Sequence, residues 1–139
     1  VGPGTGVAPM RALIQQRCAV QLYLPTQQQP LPHALLFFGC RKKQRDYLYT
    51  EEWAALNTGV NPYYPNTSSA LPQNGVQVIT AFSQDQDIKD YVTHRIKDQG
   101  KIVCAMLQQG GVIFVAGASK RMPADVRKAL SAVLVEHAD

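Results

Sequence analysis

The 139-residue chain has little charge and no long apolar run. Charged residues make up 17% against 45% apolar, which excludes both a disordered chain and a highly charged one. The longest apolar runs are a handful of residues, such as Ile102–Leu107. A membrane-crossing helix needs roughly 20, so no membrane span is expected. No basic, apolar, small-residue leader opens the sequence. Cysteine is scarce and odd in number: Cys18, Cys40 and Cys104 form no CxxC pair and no disulfide framework. With no leader, that pattern predicts a reducing, cytoplasmic setting. His33, His94 and His137 lie far apart, so no metal-ligand cluster is expected.

What is present fits one domain with one core, residues 1–139. Fourteen basic residues against ten acidic ones give a net charge of +4. A mildly basic domain suits nucleic acid, a membrane surface or a phosphorylated small molecule, and only the positions of the cations can choose. The sequence opens on a glycine-rich motif, which predicts a fragment of something longer.

Periodicity supplies the elements. Val7 to about Tyr23 predicts a helix, with Met10, Leu13, Ile14, Cys18 and Leu22 at helical spacings and Pro9 in the first turn. Pro25–Pro32 is a polar, proline-containing loop. Ala34–Phe38 predicts a buried strand ended by Gly39, and Asp46–Leu56 a helix. Asn57–Asn74 is a long irregular stretch, of a length that marks function or mobility. Then follow a strand at Val76–Phe82, helices at Asp85–Asp98 and Lys101–Gln109, a strand at Val112–Ala116, and a helix from Pro123 to about His137. Nearly continuous apolar strands separated by helices predict a parallel sheet covered on both faces. Right-handed crossovers make this a doubly wound, mostly parallel α/β sheet flanked by helices, of Rossmann-like type. A strand should precede the Gly2 loop, and Val1 alone stands there, so the first strand is expected to be truncated.

The sharpest motif is Gly2-Pro-Gly-Thr-Gly-Val-Ala-Pro-Met-Arg11. Three glycines in five residues permit a tight turn and close approach of a ligand to the backbone. The helix behind them offers N–H groups and a positive dipole end, which suit a diphosphate. The third glycine of G-x-G-x-x-G would fall on Val7, and no Gly-Lys-Ser/Thr follows, so neither usual phosphate fingerprint applies. Without further context a purely structural turn remains an equal reading.

Four segments line up: Gly4-Thr-Gly-Val-Ala-Pro9, Phe38-Gly-Cys-Arg41, Ala81-Phe-Ser83 and Ala116-Gly-Ala-Ser-Lys-Arg-Met-Pro-Ala-Asp-Val126. Their order and spacing resemble the NADPH-binding domain of the ferredoxin–NADP reductase superfamily, and more narrowly the diflavin reductases. Asp46–Tyr49 and Lys89–Thr93 extend the resemblance over almost the whole chain, except the loops at 25–32 and 57–74. Ala116 and Met122–Val126 look most like the NADPH-dependent diflavin oxidoreductase 1 group. That resemblance implies NADPH at this domain and FAD and FMN on other domains of the same polypeptide. It also implies electron delivery to an anamorsin-type protein of cytosolic iron–sulfur cluster assembly.

By the same resemblance, Gly4, Thr5 and Gly6 cradle the pyrophosphate. Cys40 and Arg41 lie at a strand's carboxyl end near the nicotinamide-side phosphate and ribose, though Cys40 is equally well a small buried residue. Ser83, Lys89 and Tyr91 match the pocket for the adenosine 2′-phosphate, with Thr93 just beyond. Lys89 and Tyr91 are two apart and converge only if they lie in a first turn or a loop. Lys120 and Met122 match the adenosine and ribose region. Asp125 matches a nucleotide-binding position, and serves equally as a helix-dipole acid. Gln84 stands where the family has arginine, and glutamine makes no charged, bidentate bond to phosphate. Lys89, Lys120 or the cluster Arg41–Arg45 is expected to compensate.

No catalytic residue is expected in this chain. The cysteine often found near the nicotinamide is Ala116 here, and hydride transfer asks the protein for positioning and electrostatics. Two alternatives stand beside this reading. One is another diflavin reductase, microsomal-type or sulfite-type, with a different acceptor. The other is a basic module using Arg41-Lys-Lys-Gln-Arg45 for nucleic acid or acidic partners, but no aromatic-basic RNA motif accompanies it.

Overall fold

The computed structural model describes residues 1–23, 31–64 and 75–138. The polar loop at 25–32 and the insertion at 57–74 fall largely outside the described residues, as do Thr67–Ser69. Two parallel strands, β1 (Ala34–Cys40) and β2 (Val76–Phe82), pair in register from Ala34 opposite Val76 to Cys40 opposite Phe82. Helices cover both faces, as expected of a doubly wound α/β domain.

The strand period of two sorts the core. Leu36 and Phe38 of β1, with Val76 and Val78 of β2, point to one face. There they meet α1 (Val7–Tyr23), which buries Val7, Met10, Ile14 and Cys18, and α3 (Thr50–Asn57), which buries Trp53 and Leu56. Phe37 and Ala81 point to the other face. That face packs on α4 (Val92–Asp98), α5 (Gly100–Gln108) and α6 (Met122–His137) through Val92, Ile96, Val103, Val126, Ala129 and Val133. The expected single core is therefore two clusters, one on each side of the sheet.

Three elements depart from expectation. Val112–Ala116 is not a strand: Val112 and Phe114 are 76% and 54% exposed. Val1 bonds along it. The Val1 ammonium donates to the Phe114 carbonyl at 2.7 Å, and the Ala116 N–H donates to the Val1 carbonyl at 3.0 Å. On its other side the Gly2 N–H donates to the Phe37 carbonyl at 3.0 Å. Val1–Gly2 thus sits between β1 and the 112–116 segment and bonds to both.

The helix expected over 46–56 splits into α2 (Lys43–Asp46) and α3. Tyr49 between them takes φ 60, the left-handed region. The buried Trp53 indole N–H donates to the Leu48 carbonyl at 2.6 Å, which holds the break in place. The helix expected from Asp85 begins only at Val92. Residues 83–86 are held elsewhere: the Ser83 and Gln84 N–H groups donate to the Cys40 and Arg41 carbonyls, both at 2.9 Å, and the Asp85 carboxylate accepts the Lys43 N–H at 3.0 Å.

Candidate functional site

Those bonds after β1 and β2 continue the pairing beyond the strand ends and set the two following loops side by side. At this carboxyl edge, where open α/β sheets bind ligands, lies a cavity of about 1020 Å³. Its walls come from five places. Pro3, Gly4 and Thr5 belong to the glycine-rich loop, and Gly39, Cys40 and Arg41 to the end of β1. Ser83 follows β2, and Tyr91 and Thr93 begin α4. Ala118, Arg121, Met122 and Asp125 surround the start of α6.

The glycine-rich loop forms a single 3-10 turn over Gly4–Gly6. Gly4 has φ +58 with open space where a side chain would stand, so ligand can approach its backbone closely. Gly6 is required for the opposite reason. A Cβ there would lie 2.0 Å from the Ala116 carbonyl oxygen, so the loop before α6 packs against bare backbone.

Nine of the expected residues line one cavity: Gly4, Thr5, Cys40, Arg41, Ser83, Tyr91, Thr93, Met122 and Asp125. Gly6, Gln84, Lys89 and Lys120 are not in its walls. Lys89 and Tyr91 do lie ahead of α4, in the loop that the convergence argument asked for. Only Tyr91 reaches the cavity, and Lys89 is exposed.

Cations exceed acids in the walls. Arg41, Arg45, Lys97, Arg121 and Lys128 line the cavity, with Asp46, Asp90 and Asp125. None of the five cations has an ion-pair partner among the described residues. Asp90 is already engaged, accepting from Arg95 Nη2 at 2.5 Å and Nε at 2.9 Å. Asp46 accepts the Lys42 N–H at 3.1 Å. The result is a partly enclosed space with free positive charge, which suits an anion. Sequence reading passed over Arg121, Lys97 and Lys128. Arg121 carried a signal in its place between Lys120 and Met122, whereas the two lysines read as ordinary exposed helix positions.

The Cys40 thiol is held in its protonated form. Burial, then the nearby Asp46 and Asp85 carboxylates, push its thiol up to about 11. It stays protonated at neutral pH and contacts the Lys42 carbonyl at 3.8 Å. Arg11, at the end of the glycine-rich motif, does not line the cavity. Its Nε and Nη2 donate to the two Glu52 oxygens at 2.7 and 2.8 Å, and its guanidinium lies 4.6 Å from the Tyr49 ring centre. Arg11 therefore clamps α1 to α3 and holds the left-handed Tyr49. Among the described residues no group of three potential metal ligands occurs, and no helix is long and apolar enough to cross a membrane.

Residues 1–128 match the family model described as oxidoreductase NAD-binding domain, and the chain belongs to that family. Among similar curated proteins are two named NADPH-dependent diflavin oxidoreductase 1. The one from Arabidopsis thaliana is 39% identical over 98% of this chain, and the one from Schizosaccharomyces pombe 36% over 99%. The NADPH–cytochrome P450 reductase of Emericella nidulans is 34% identical over 96%. The chain spans 20%, 20% and 17% of those three proteins, about a fifth of each.

Proposed function

We propose that residues 1–139 are the NADPH-binding domain of a diflavin oxidoreductase. The whole protein would pass hydride from NADPH to FAD and electrons through FMN to an acceptor. The favoured acceptor is an anamorsin-type protein of cytosolic iron–sulfur cluster assembly, which makes the setting cytoplasmic. The FAD and FMN domains belong to the same polypeptide, and neither a membrane nor nucleic acid is a partner. The observation that carries this reading is the meeting of the glycine-rich loop, the β1 and β2 ends and the α6 start around one cation-rich cavity.

In this reading each wall has a task. Gly4, Thr5 and Gly6 seat the pyrophosphate, Gly4 by leaving its backbone open. Arg41 supplies charge next to it. Cys40 keeps its wall small and uncharged. Ser83 and Tyr91 offer hydroxyls to the adenosine 2′-phosphate, and Thr93, Met122 and Asp125 close the adenosine side. When bound, NADPH supplies the hydride. This chain holds and orients the dinucleotide, so the isolated domain binds without turnover.

Calorimetric titration with 2′,5′-ADP and with 5′-AMP at one fixed low salt tests the reading. A roughly tenfold or greater preference for 2′,5′-ADP, reduced by Ser83→Ala, supports it. Equal affinity for the two would point to NADH. The similarity to a cytochrome P450 reductase favours a second reading, a microsomal-type reductase with another acceptor. Comparing reduction of an anamorsin-type protein and of a cytochrome by the whole reductase separates the two.

A further inference from the structure

In the nucleotide reading, on which this inference rests, Tyr91 must hold its ring and hydroxyl toward the adenosine 2′-phosphate. Tyr91 is 46% exposed and stands just ahead of α4, so its ring is not locked by burial. The residue after it is anchored. Val92 is buried, and a Cβ on Gly39 would meet its Cγ1 at 2.8 Å, so α4 starts against the bare backbone of β1. Tyr91 is the N-cap, in extended backbone with φ −121 and ψ 160. Its carbonyl accepts the His94 N–H at 2.9 Å and the Arg95 N–H at 3.3 Å. Its own N–H lies ahead of the helix ladder and needs an acceptor from elsewhere.

We propose that His94 is a positioning residue of the nucleotide site, acting through Tyr91 and not on the ligand. The Tyr91 N–H donates to His94 Nδ1 at 3.2 Å. The two rings lie 5.7 Å apart between centres and are tilted by 50°, within the range of a favourable ring contact. One side chain therefore holds both the backbone and the ring of Tyr91. The pair takes the first and fourth places of a capping box, with histidine where glutamate or glutamine is usual. Both residues line the cavity.

The neighbouring charges leave His94 free for this task. Asp90 Oδ1 is 3.7 Å from His94 Nδ1, beyond hydrogen-bond distance. Asp90 Oδ2 takes two bonds from Arg95, and Arg95 Nη1 also reaches Asp98 at 3.3 Å. The carboxylate is thus tied to Arg95, and the Nδ1 lone pair meets the Tyr91 N–H. An Nδ1 that accepts carries no proton, so the neutral imidazole keeps its N–H on Nε2. Alanine at position 94 would release the backbone and the ring together. Glutamine would restore the acceptor.

The test uses the 139-residue chain with His94→Ala, His94→Gln and Tyr91→Ala, titrated by calorimetry with 2′,5′-ADP and with 5′-AMP. Hydrogen exchange at the Tyr91 amide is followed alongside. His94→Ala is expected to weaken 2′,5′-ADP about three- to tenfold, the size of one neutral hydrogen bond, and to speed exchange at the Tyr91 amide. His94→Gln should recover most of both. On a Tyr91→Ala background, His94→Ala should cost less than about twofold, because no ring is left to place. An undiminished loss on that background would mean that His94 meets the ligand itself, and overturns the proposal. So does parent-like affinity or parent-like Tyr91 exchange in His94→Ala, or a folded His94→Gln that recovers neither. Circular dichroism checks the fold. If His94→Ala fails to fold, His94→Leu takes its place, filling the space without offering an acceptor. A parent chain with no preference for 2′,5′-ADP over 5′-AMP sinks the nucleotide reading and this proposal with it. A parent with the preference and an indifferent His94→Ala sinks this proposal alone.

Discussion

In the isolated 139-residue chain, the α-ammonium of Val1 offers a test of the packing beside β1. Val1 is buried between β1 and the 112–116 segment, donating to the Phe114 carbonyl at 2.7 Å. Burial lowers its pKa from 8.0 to about 6. Between those values the unfolded chain carries a proton that the folded chain does not, so stability rises with pH across this window. The penalty is complete below about pH 6, and at about 1.4 kcal/mol per unit it amounts to roughly 3 kcal/mol. His33 adds to the same trend, because burial and the neighbouring Arg17 lower its pKa too. Acetylating Val1 isolates the ammonium: the amide keeps an N–H for Phe114 and cannot titrate. Urea unfolding at about pH 5.5 and about pH 8.5 should show a clearly steeper pH dependence in the unmodified chain. The same slope in both forms would refute the reasoning and leave Val1 exposed.

Gly6→Ala should destabilise the chain by about 2–4 kcal/mol, since overpacking here meets rigid backbone. Thermal melting would register this as a large drop, and an unchanged midpoint would mean that the Ala116 contact is not made. Arg11→Ala should cost about 1–3 kcal/mol, and a double-mutant cycle with Glu52→Gln should show strong coupling. The Arg11 bonds hold the Glu52 carboxyl below its ordinary range, so this contribution is present at neutral pH and lost as pH falls through the lowered value. Cys40 should alkylate slowly at neutral pH, with a rate that climbs toward about pH 11. Half-maximal reaction near pH 8 would contradict the buried, carboxylate-flanked thiol.

Much of this architecture was legible because burial on both faces writes a continuous apolar run. Ala34–Phe38 and Val76–Phe82 could be read as strands directly, and the spacing of Val7, Met10, Ile14 and Cys18 predicts the α1 face that is buried. What escaped was decided by partners distant in sequence. Val112–Ala116 has a strand's composition, but a strand exists only with a paired neighbour, and among the described residues its ladder bonds run only to Val1. Residues 85–91 have helical composition, yet the Asp85 bond to Lys43 and the exposed Ile88 draw that segment off the helix. At the cavity, glycine and strand-end residues were identifiable because backbone approach demands particular residue types. Long cations were not. Lys89 and Arg121 are both exposed basic residues in sequence, and only the course of the chain puts Arg121 on the wall and leaves Lys89 off it.

The central claim is that the cavity at the strand ends seats a dinucleotide over the glycine-rich loop. Its most direct test is the amide spectrum of the labelled chain during titration with NADP⁺. Saturable shifts should concentrate at Gly4, Thr5, Gly6, Cys40, Arg41, Ser83, Tyr91 and Met122, on every wall at once. Absence of shifts, or shifts confined to the α1–α3 face around Trp53 and Leu56, would contradict the account.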